Sequence, residues 1–213
     1  MSTLQQSVSA KEISVKDACV LEALKVIEQD GLEHLSLREV ARRLGISHQA
    51  PYKHFPSRDH ILAEVVARTF QEFADYLDGR EITGDPHEDM RAMGERYIRF
   101  ALQNPSRYRL MFNTPLPPAD QHPEMMAKAK HAFNLLTSGL SRFPQAEVDA
   151  ADRAGVERDA LFIWSGMHGI VSIFQSDSIS TLALQDGVRD TVANHIMERI
   201  GQAMRSGRPG EDI

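Results

Sequence analysis

The chain has 213 residues, with 24 Lys+Arg against 30 Asp+Glu for a formal net charge of −6, and it is 42% hydrophobic and 25% charged. That is ordinary for a water-soluble globular protein long enough to bury a real core, and no apolar run approaches the ~18 residues of a membrane span. A single cysteine, Cys19, excludes an intramolecular disulfide and fits a reducing cytoplasm, and the polar N-terminus lacks the apolar stretch of a signal peptide.

Every long periodic segment reads as helix and none as alternating strand, so the expected class is all-α. The first helix runs from about 15 to 30, with Val20, Leu21, Leu24 and Ile27 on its inner face and Gly31 as its stop. Cys19 lies on this helix as a small core or near-surface residue. From 36 to 58 the pattern changes. Ser36 caps a short helix whose Leu37, Val40, Ala41 and Leu44 share one face. Gly45 follows where positive φ is needed, Ile46 plugs back towards the core, and Ser47 caps the next element. A small residue, a glycine and an apolar plug at this spacing fit a helix-turn-helix, whose second helix enters the DNA major groove.

The residues that the second helix exposes support that reading. His48, Gln49, Tyr52, Lys53 and His54 can donate hydrogen bonds, and none is negative. Between His34 and Arg58 the cations Arg38, Arg42, Arg43, Lys53 and Arg58 face one acid, Glu39, a surplus of +4 within a chain of −6. A basic island in an acidic protein focuses its field on phosphate.

A long helix from about 58 to 78 carries Leu62, Val65, Val66, Phe70, Phe73 and Leu77 along one stripe and links head to body. Asp85-Pro86-His87-Glu88 is a strong helix start, and Met90, Met93, Tyr97, Ile98 and Ala101 mark the face of a helix ending at Asn104-Pro105. A short segment at about 108–112 leads into Pro115-Leu116-Pro117-Pro118, which cannot be regular helix. At 123–141, Met126, Ala129, Phe133, Leu136 and Leu140 step by three and four. A polar stretch at 144–155 reads as a loop or frayed turn, followed by helices at about 156–175 and 184–205. The domains are then a head at 12–60, a ligand-binding and dimerisation bundle at 61–205 and a flexible tail at 206–213.

Around Trp164, apolar residues wrap almost the whole helix, including Leu161, Phe162, Ile163, Ile170, Val171, Ile173 and Phe174. A helix apolar all round is buried all round, most simply against a second copy. Phe162, Ile170 and Phe174, with Val188, Val192, Ile196 and Ile200 of the last helix, are the expected homodimer interface. Tyr97, Phe100, Met111, Phe112, Met126, Phe133, Trp164, Met167 and His168 are the expected lining of a small-molecule pocket. Trp164 and His168 stand four apart on one helical face, although such a stripe is also what plain core looks like. Gly166 and Gly169 weaken that helix, which points to close packing or a ligand-facing gap.

Catalytic and metal readings find no support. There is no His-x-x-x-His, Cys-x-x-Cys or Glu-x-x-His spacing, no phosphate-cradling glycine loop and no Gly-x-Ser-x-Gly elbow, so neither an enzyme nor a metal site nor a cofactor is expected.

The stretch from about 17 to 66 resembles the N-terminal domain of the TetR family of bacterial transcriptional regulators. The likeness rests on Asp30-Gly31, the Leu-Arg-Glu-Val-Ala run at 37–41, Gly45-Ile46-Ser47, Tyr52, His54-Phe55, Ser57-Arg58-Asp59 and Ile61-Leu62. Trp164-Ser165-Gly166-Met167-His168-Gly169 is similar to the Trp-His-Gly signature of one C-terminal class of that family. Two features depart from the family pattern. Pro51 stands inside the recognition helix, which is therefore expected to be short, and the arm has only Lys11 before the first helix and Lys16 at its start, too few for a strong minor-groove arm.

The resemblance implies a cytoplasmic, homodimeric, ligand-responsive regulator, by default a repressor, that binds a two-fold symmetric double-stranded DNA operator and is released by a small-molecule effector. Ser36, Arg38, Tyr52, Lys53 and Arg58 are placed on phosphates, and Ser47, His48, Gln49 and Ala50 at base edges, with His54 a further candidate. No membrane partner is expected. The rival reading is a helical ligand-binding or protein-interaction bundle without sequence-specific DNA binding.

Overall fold

A computed structural model of the chain describes residues 13–143, 153–176 and 178–205, so most of the predicted loop at 144–155 and the tail at 206–213 lie outside the described residues. Among the described residues every regular element is helical, and no helix is long and apolar enough to cross a membrane. The chain divides into two compact units after Val65, inside the continuous helix α3 (Arg58–Asp78).

The first unit opens with α1 (Val15–Asp30), capped by Ser14, whose hydroxyl accepts from Asp17 N–H at 3.1 Å. Cys19, Val20, Ala23, Leu24, Val26 and Ile27 are buried. Leu21, expected on the inner face, is instead 44% exposed, because one step along a helix turns a side chain by about 100° from Val20. Gly31 ends α1 at φ 98° and a 3₁₀ turn, Leu32–His34, follows. In α2 (Leu37–Leu44), Ser36 Oγ accepts from Glu39 N–H at 3.1 Å. Gly45 closes the helix at φ 66°, and Ile46 N–H reaches back to the Ala41 carbonyl at 3.1 Å. The predicted caps of α2 are thus in place, whereas Ser47, expected to cap the next element, does not cap it: the 3₁₀ turn that follows has Ala50 at its start and no side-chain cap.

The second helix of the motif is the main correction in this unit. Residues 48–50 form turns and Pro51–Lys53 a single 3₁₀ turn, not an α-helix. Proline has no N–H to give the Ser47 carbonyl, which accepts from Ala50 at 2.9 Å, and Lys53 and His54 likewise bond three residues back. Pro51 and Phe55 are buried and tie the turn to the core.

In α3, Leu62, Val65, Val66, Phe70, Phe73 and Leu77 are each no more than 3% exposed, so the predicted stripe is all core. The second unit continues with α4 (Pro86–Gln103), which Asp85 caps by accepting from His87 N–H at 2.8 Å, and α5 (Pro105–Phe112). Next come α6 (Pro123–Leu140) and α7 (Arg153–Gln175), which begins three residues before its predicted start. A single turn α8 (Ser178–Thr181), absent from the sequence reading, precedes α9 (Val188–Arg205). That last helix begins four residues later than predicted because Gly187, at φ 78°, breaks the backbone. Both α4 and α7 pack on α6 and α9 as well as on each other.

Asp89 of α4 is 2% exposed and fully engaged, accepting from Thr83 N–H at 2.8 Å, Thr83 Oγ1–H at 2.9 Å and Arg142 Nη1 at 2.8 Å. Those bonds hold its carboxyl below the usual range. They pin the loop before α4 and the end of α6 to one buried charge.

Candidate nucleic-acid interface and cavity

The turn at 47–54 presents its polar side chains outward. Ser47, His48, Gln49, Tyr52, Lys53 and His54 are all exposed, Ala50 is half-buried, and Arg38 stands exposed on α2. Ser47 Oγ accepts from Gln49 N–H at 3.3 Å. Ser36 is half-buried and its hydroxyl already caps α2. The surface therefore carries amide, imidazole, phenol and ammonium donors, which suit base edges and phosphates.

Three of the five cations in the basic island are committed within the unit. Arg42 Nε and Nη2 donate to Glu39 at 2.8 and 2.6 Å. Arg43 donates to Glu39 at 2.8 Å, to Gln29 at 2.9 Å and to Asp30, with Glu22 at 3.9 Å. The two guanidinium groups hold the Glu39 carboxyl down at about 2. Arg58, assigned to phosphate from sequence, donates to the Leu35 carbonyl at 3.0 Å and the Leu32 carbonyl at 2.8 Å, so it also braces the turn before α2. The island is thus weaker than the stretch 34–58 alone indicates, because α1 brings Glu22 and Asp30 beside Arg43. Arg38 and Lys53 have no side-chain partner among the described residues.

The second unit holds a cavity of about 1390 Å³. Of the nine residues expected to line a pocket, Tyr97, Met111, Phe112, Met126, Phe133, Trp164, Met167 and His168 do line it. Phe100 does not: it is 4% exposed and packs against Phe73 at 5.0 Å and Tyr76 at 5.6 Å between ring centroids. All five residues of the stripe predicted on α6, Met126, Ala129, Phe133, Leu136 and Leu140, line the cavity, whereas Met125 and Gly139, outside that stripe, are packed away.

At the aromatic end of the cavity four polar side chains meet. Trp164 Nε1 donates to Tyr97 Oη at 3.2 Å, Tyr97 and Tyr108 share a hydrogen bond at 2.6 Å, and Tyr108 Oη lies 2.5 Å from His168 Nδ1. Tyr108 stacks on His168 at 5.5 Å, with Phe112 edge-on to the same imidazole at 5.6 Å. Burial pushes the Tyr97 hydroxyl up to about 12, raises that of Tyr108 too, and pushes the His168 imidazole below its ordinary 6.5. The cluster therefore carries no charge at neutral pH. Tyr108 was not singled out from sequence: nothing local marks a hydroxyl whose partner lies 60 residues away.

The expected dimer residues fall into separate groups. Phe162 is 52% and Val188 39% exposed, and Phe174 and Val192 are half-buried. Ile170 is 3% exposed within the single chain, which corrects its assignment to a partner-facing surface. Ile200 and Ile196 turn towards Gly166, where an added Cβ would meet them at 3.1 and 3.8 Å. Gly166 is therefore a close-packing glycine, while at Gly169 nothing lies within 4 Å of such a Cβ. Leu161 and Ile173, each 49% exposed, extend the open apolar face of α7. Among the described residues no group of three His, Cys, Asp or Glu side chains is placed to hold a metal ion.

Residues 20–65 match the family model described as bacterial regulatory proteins, tetR family, and residues 90–200 match that of the tetracyclin repressor-like C-terminal domain. The HTH-type transcriptional regulator Rv1816 of Mycobacterium tuberculosis is 29% identical over 100 residues, which cover 46% of this chain and 43% of that protein. The HTH-type transcriptional regulator Mb1846 of Mycobacterium bovis matches to the same extent, so the similarity spans less than half the length of either relative. Among solved structures, a protein of unknown function from Rhodococcus sp. RHA1 superposes with a TM-score of 0.71 at 22% identity, covering 92% of this chain and 98% of that one. The TetR-family regulator PfmR from Thermus thermophilus gives 0.61 at 22% identity, covering 87% and 98%.

Proposed function

The chain belongs to the TetR family of bacterial transcriptional regulators, and from that premise we propose that it is a ligand-responsive repressor. It binds a two-fold symmetric operator as a homodimer and leaves it when a small molecule fills the cavity of the second unit. The observation that carries this reading is the pairing, in one chain, of an exposed donor-rich turn at 47–54 with a 1390 Å³ cavity lined mostly by apolar and aromatic side chains. The family is one of DNA-binding regulators rather than enzymes, and the cytoplasm is the compartment this role requires.

Lys53, Arg38 and Tyr52 hold phosphates and set the register. Ser47, His48 and Gln49 address base edges, with Ala50 against a thymine methyl. Arg58 and Ser36 act mainly by holding α2 and the turn before it, since their polar atoms are already bonded there. The dimer forms through the open apolar face of α7 and the start of α9, with Leu161, Phe162, Ile173 and Val188 at its centre. Two heads then read half-sites about one helical turn apart, roughly 34–36 Å. Trp164, His168 and Gly169 support placement in the Trp-His-Gly class. Ligand in the cavity favours a conformation with a different head spacing, and each tenfold loss of operator affinity takes about 1.4 kcal/mol of differential binding.

Selection of bound sequences from a random DNA pool at moderate salt tests the reading. An enriched two-fold symmetric motif is expected. A folded, dimeric protein that enriches nothing overturns it in favour of a bundle without DNA recognition.

A further inference from the structure

Hydrogen-bond accounting gives the polar cluster beneath the cavity a direction. Indole Nε1–H only donates, so Tyr97 Oη accepts from Trp164 at 3.2 Å. The Tyr97 proton then passes to Tyr108 Oη at 2.6 Å, and the Tyr108 proton to His168 Nδ1 at 2.5 Å. The reverse order, from His168 Nδ1–H through Tyr108 to Tyr97, leaves both the Tyr97 O–H, in a residue only 8% exposed, and an unprotonated His168 Nε2 without a partner among the described residues, two stranded groups where the forward order leaves one. The forward order satisfies every hydroxyl and fixes the neutral imidazole as its Nε2–H tautomer. That last N–H has no partner among the described residues, and His168 lines the cavity. The relay therefore ends on one donor, on a cavity-lining residue, that no described protein group satisfies.

The charge pattern narrows the occupant. Tyr97, Phe112 and Trp164, which contact His168 on the cavity lining, are uncharged, whereas none of the charged lining residues Arg91, Lys130, Arg153 and Glu157 contacts it. A carboxylate driven to the aromatic end is desolvated without a counter-charge. An ammonium finds aromatic faces there but meets an N–H donor where it needs an acceptor.

We propose that the aromatic end of the cavity takes an uncharged, largely apolar molecule through a single carbonyl- or ether-type oxygen, which accepts the hydrogen bond from His168 Nε2–H. This rests on reading the cavity as the effector site.

Trp164 is the only tryptophan in the chain, so its fluorescence reports on this site alone. Three probes share one ten-carbon chain and differ in the group at C2: 2-decanone, its C=CH₂ isostere 2-methyldec-1-ene, and the decan-2-ammonium ion. Each is titrated against the full chain, with thermal melting as a second readout. The expected result is that the ketone binds at least about fivefold more tightly than the alkene, the advantage of one satisfied hydrogen bond, with the ammonium weakest. His168→Phe erases the ketone preference. His168→Gln, whose amide can accept from Tyr108 and still donate onward, retains it in part. Equal binding of ketone and alkene, a ketone preference that survives His168→Phe, or tightest binding by the ammonium overturns the proposal while leaving the cavity as a binding site. If no probe changes either readout, the effector-site reading falls with it. Should His168→Phe fail to fold, the wild-type probe series and His168→Gln still decide the matter.

Discussion

Tyr108 and His168 couple burial to stability at the same place where a ligand contact is proposed. Tyr108 is fully buried, and its hydroxyl joins Tyr97 to the imidazole. Tyr108→Phe removes that link and leaves the Tyr97 O–H and His168 Nδ1 only their long 3.5 Å contact with each other, and is expected to cost about 1–2 kcal/mol in denaturant unfolding; an unchanged midpoint contradicts the relay. The pH dependence has a definite sign. Burial holds the folded imidazole below 6.5, the value regained on unfolding, so the unfolded chain takes up the proton first. This contribution to stability is whole above about pH 6.5 and is lost as pH falls from there to the folded pKa, the adjoining Tyr97 and Tyr108 staying neutral throughout. Melting curves from pH 8 to 5 should show a smaller decline for His168→Gln than for the wild type. On the head, Gln49→Ala should relax sequence preference at one position in each half-site, read from selected DNA, with little change elsewhere.

At the scale of elements, the sequence carried most of what is set locally and little of what is set across the chain. Ser36, Gly45, Asp85 and Gly31 act through neighbours within a few residues, so the ends of α1, α2 and α4 could be read directly. Pro51 was visible too, yet a missing N–H marks strain without saying whether the backbone answers by shortening an α-helix or by tightening to 3₁₀. The +4 surplus of the island failed for a different reason: Asp30 and Glu22 reach Arg43 only once α1 and α2 are packed. On α7, periodicity found an all-round apolar helix but could not say which side belongs to the protomer. The structure separates them, with Ile170 inside and Phe162 outside. Ile170→Ala is therefore expected to cost about 2–5 kcal/mol in unfolding free energy. Phe162→Asp should leave the helical signal intact and shift the protein from dimer to monomer in light scattering; a dimer unaffected by Phe162→Asp contradicts the proposed face.

For the whole molecule, the proposed dimer touches phosphate with few free cations per head and does so twice. Arg42, Arg43 and Arg58 are bonded within the head, which leaves Lys53 and Arg38 as the cations proposed to meet the backbone of a duplex. Affinity should then fall steeply with salt, and each lost phosphate contact should make that fall shallower in a countable way. The most direct measurement is operator affinity by fluorescence anisotropy across a salt series, for the wild type and for Lys53→Ala. The expected slope of log affinity against log salt is shallower by about two in the variant, one contact from each head of the proposed dimer, with sequence preference retained. An unchanged slope, or a loss of preference without a change in slope, contradicts the placement of this turn on the DNA backbone by a two-headed protein.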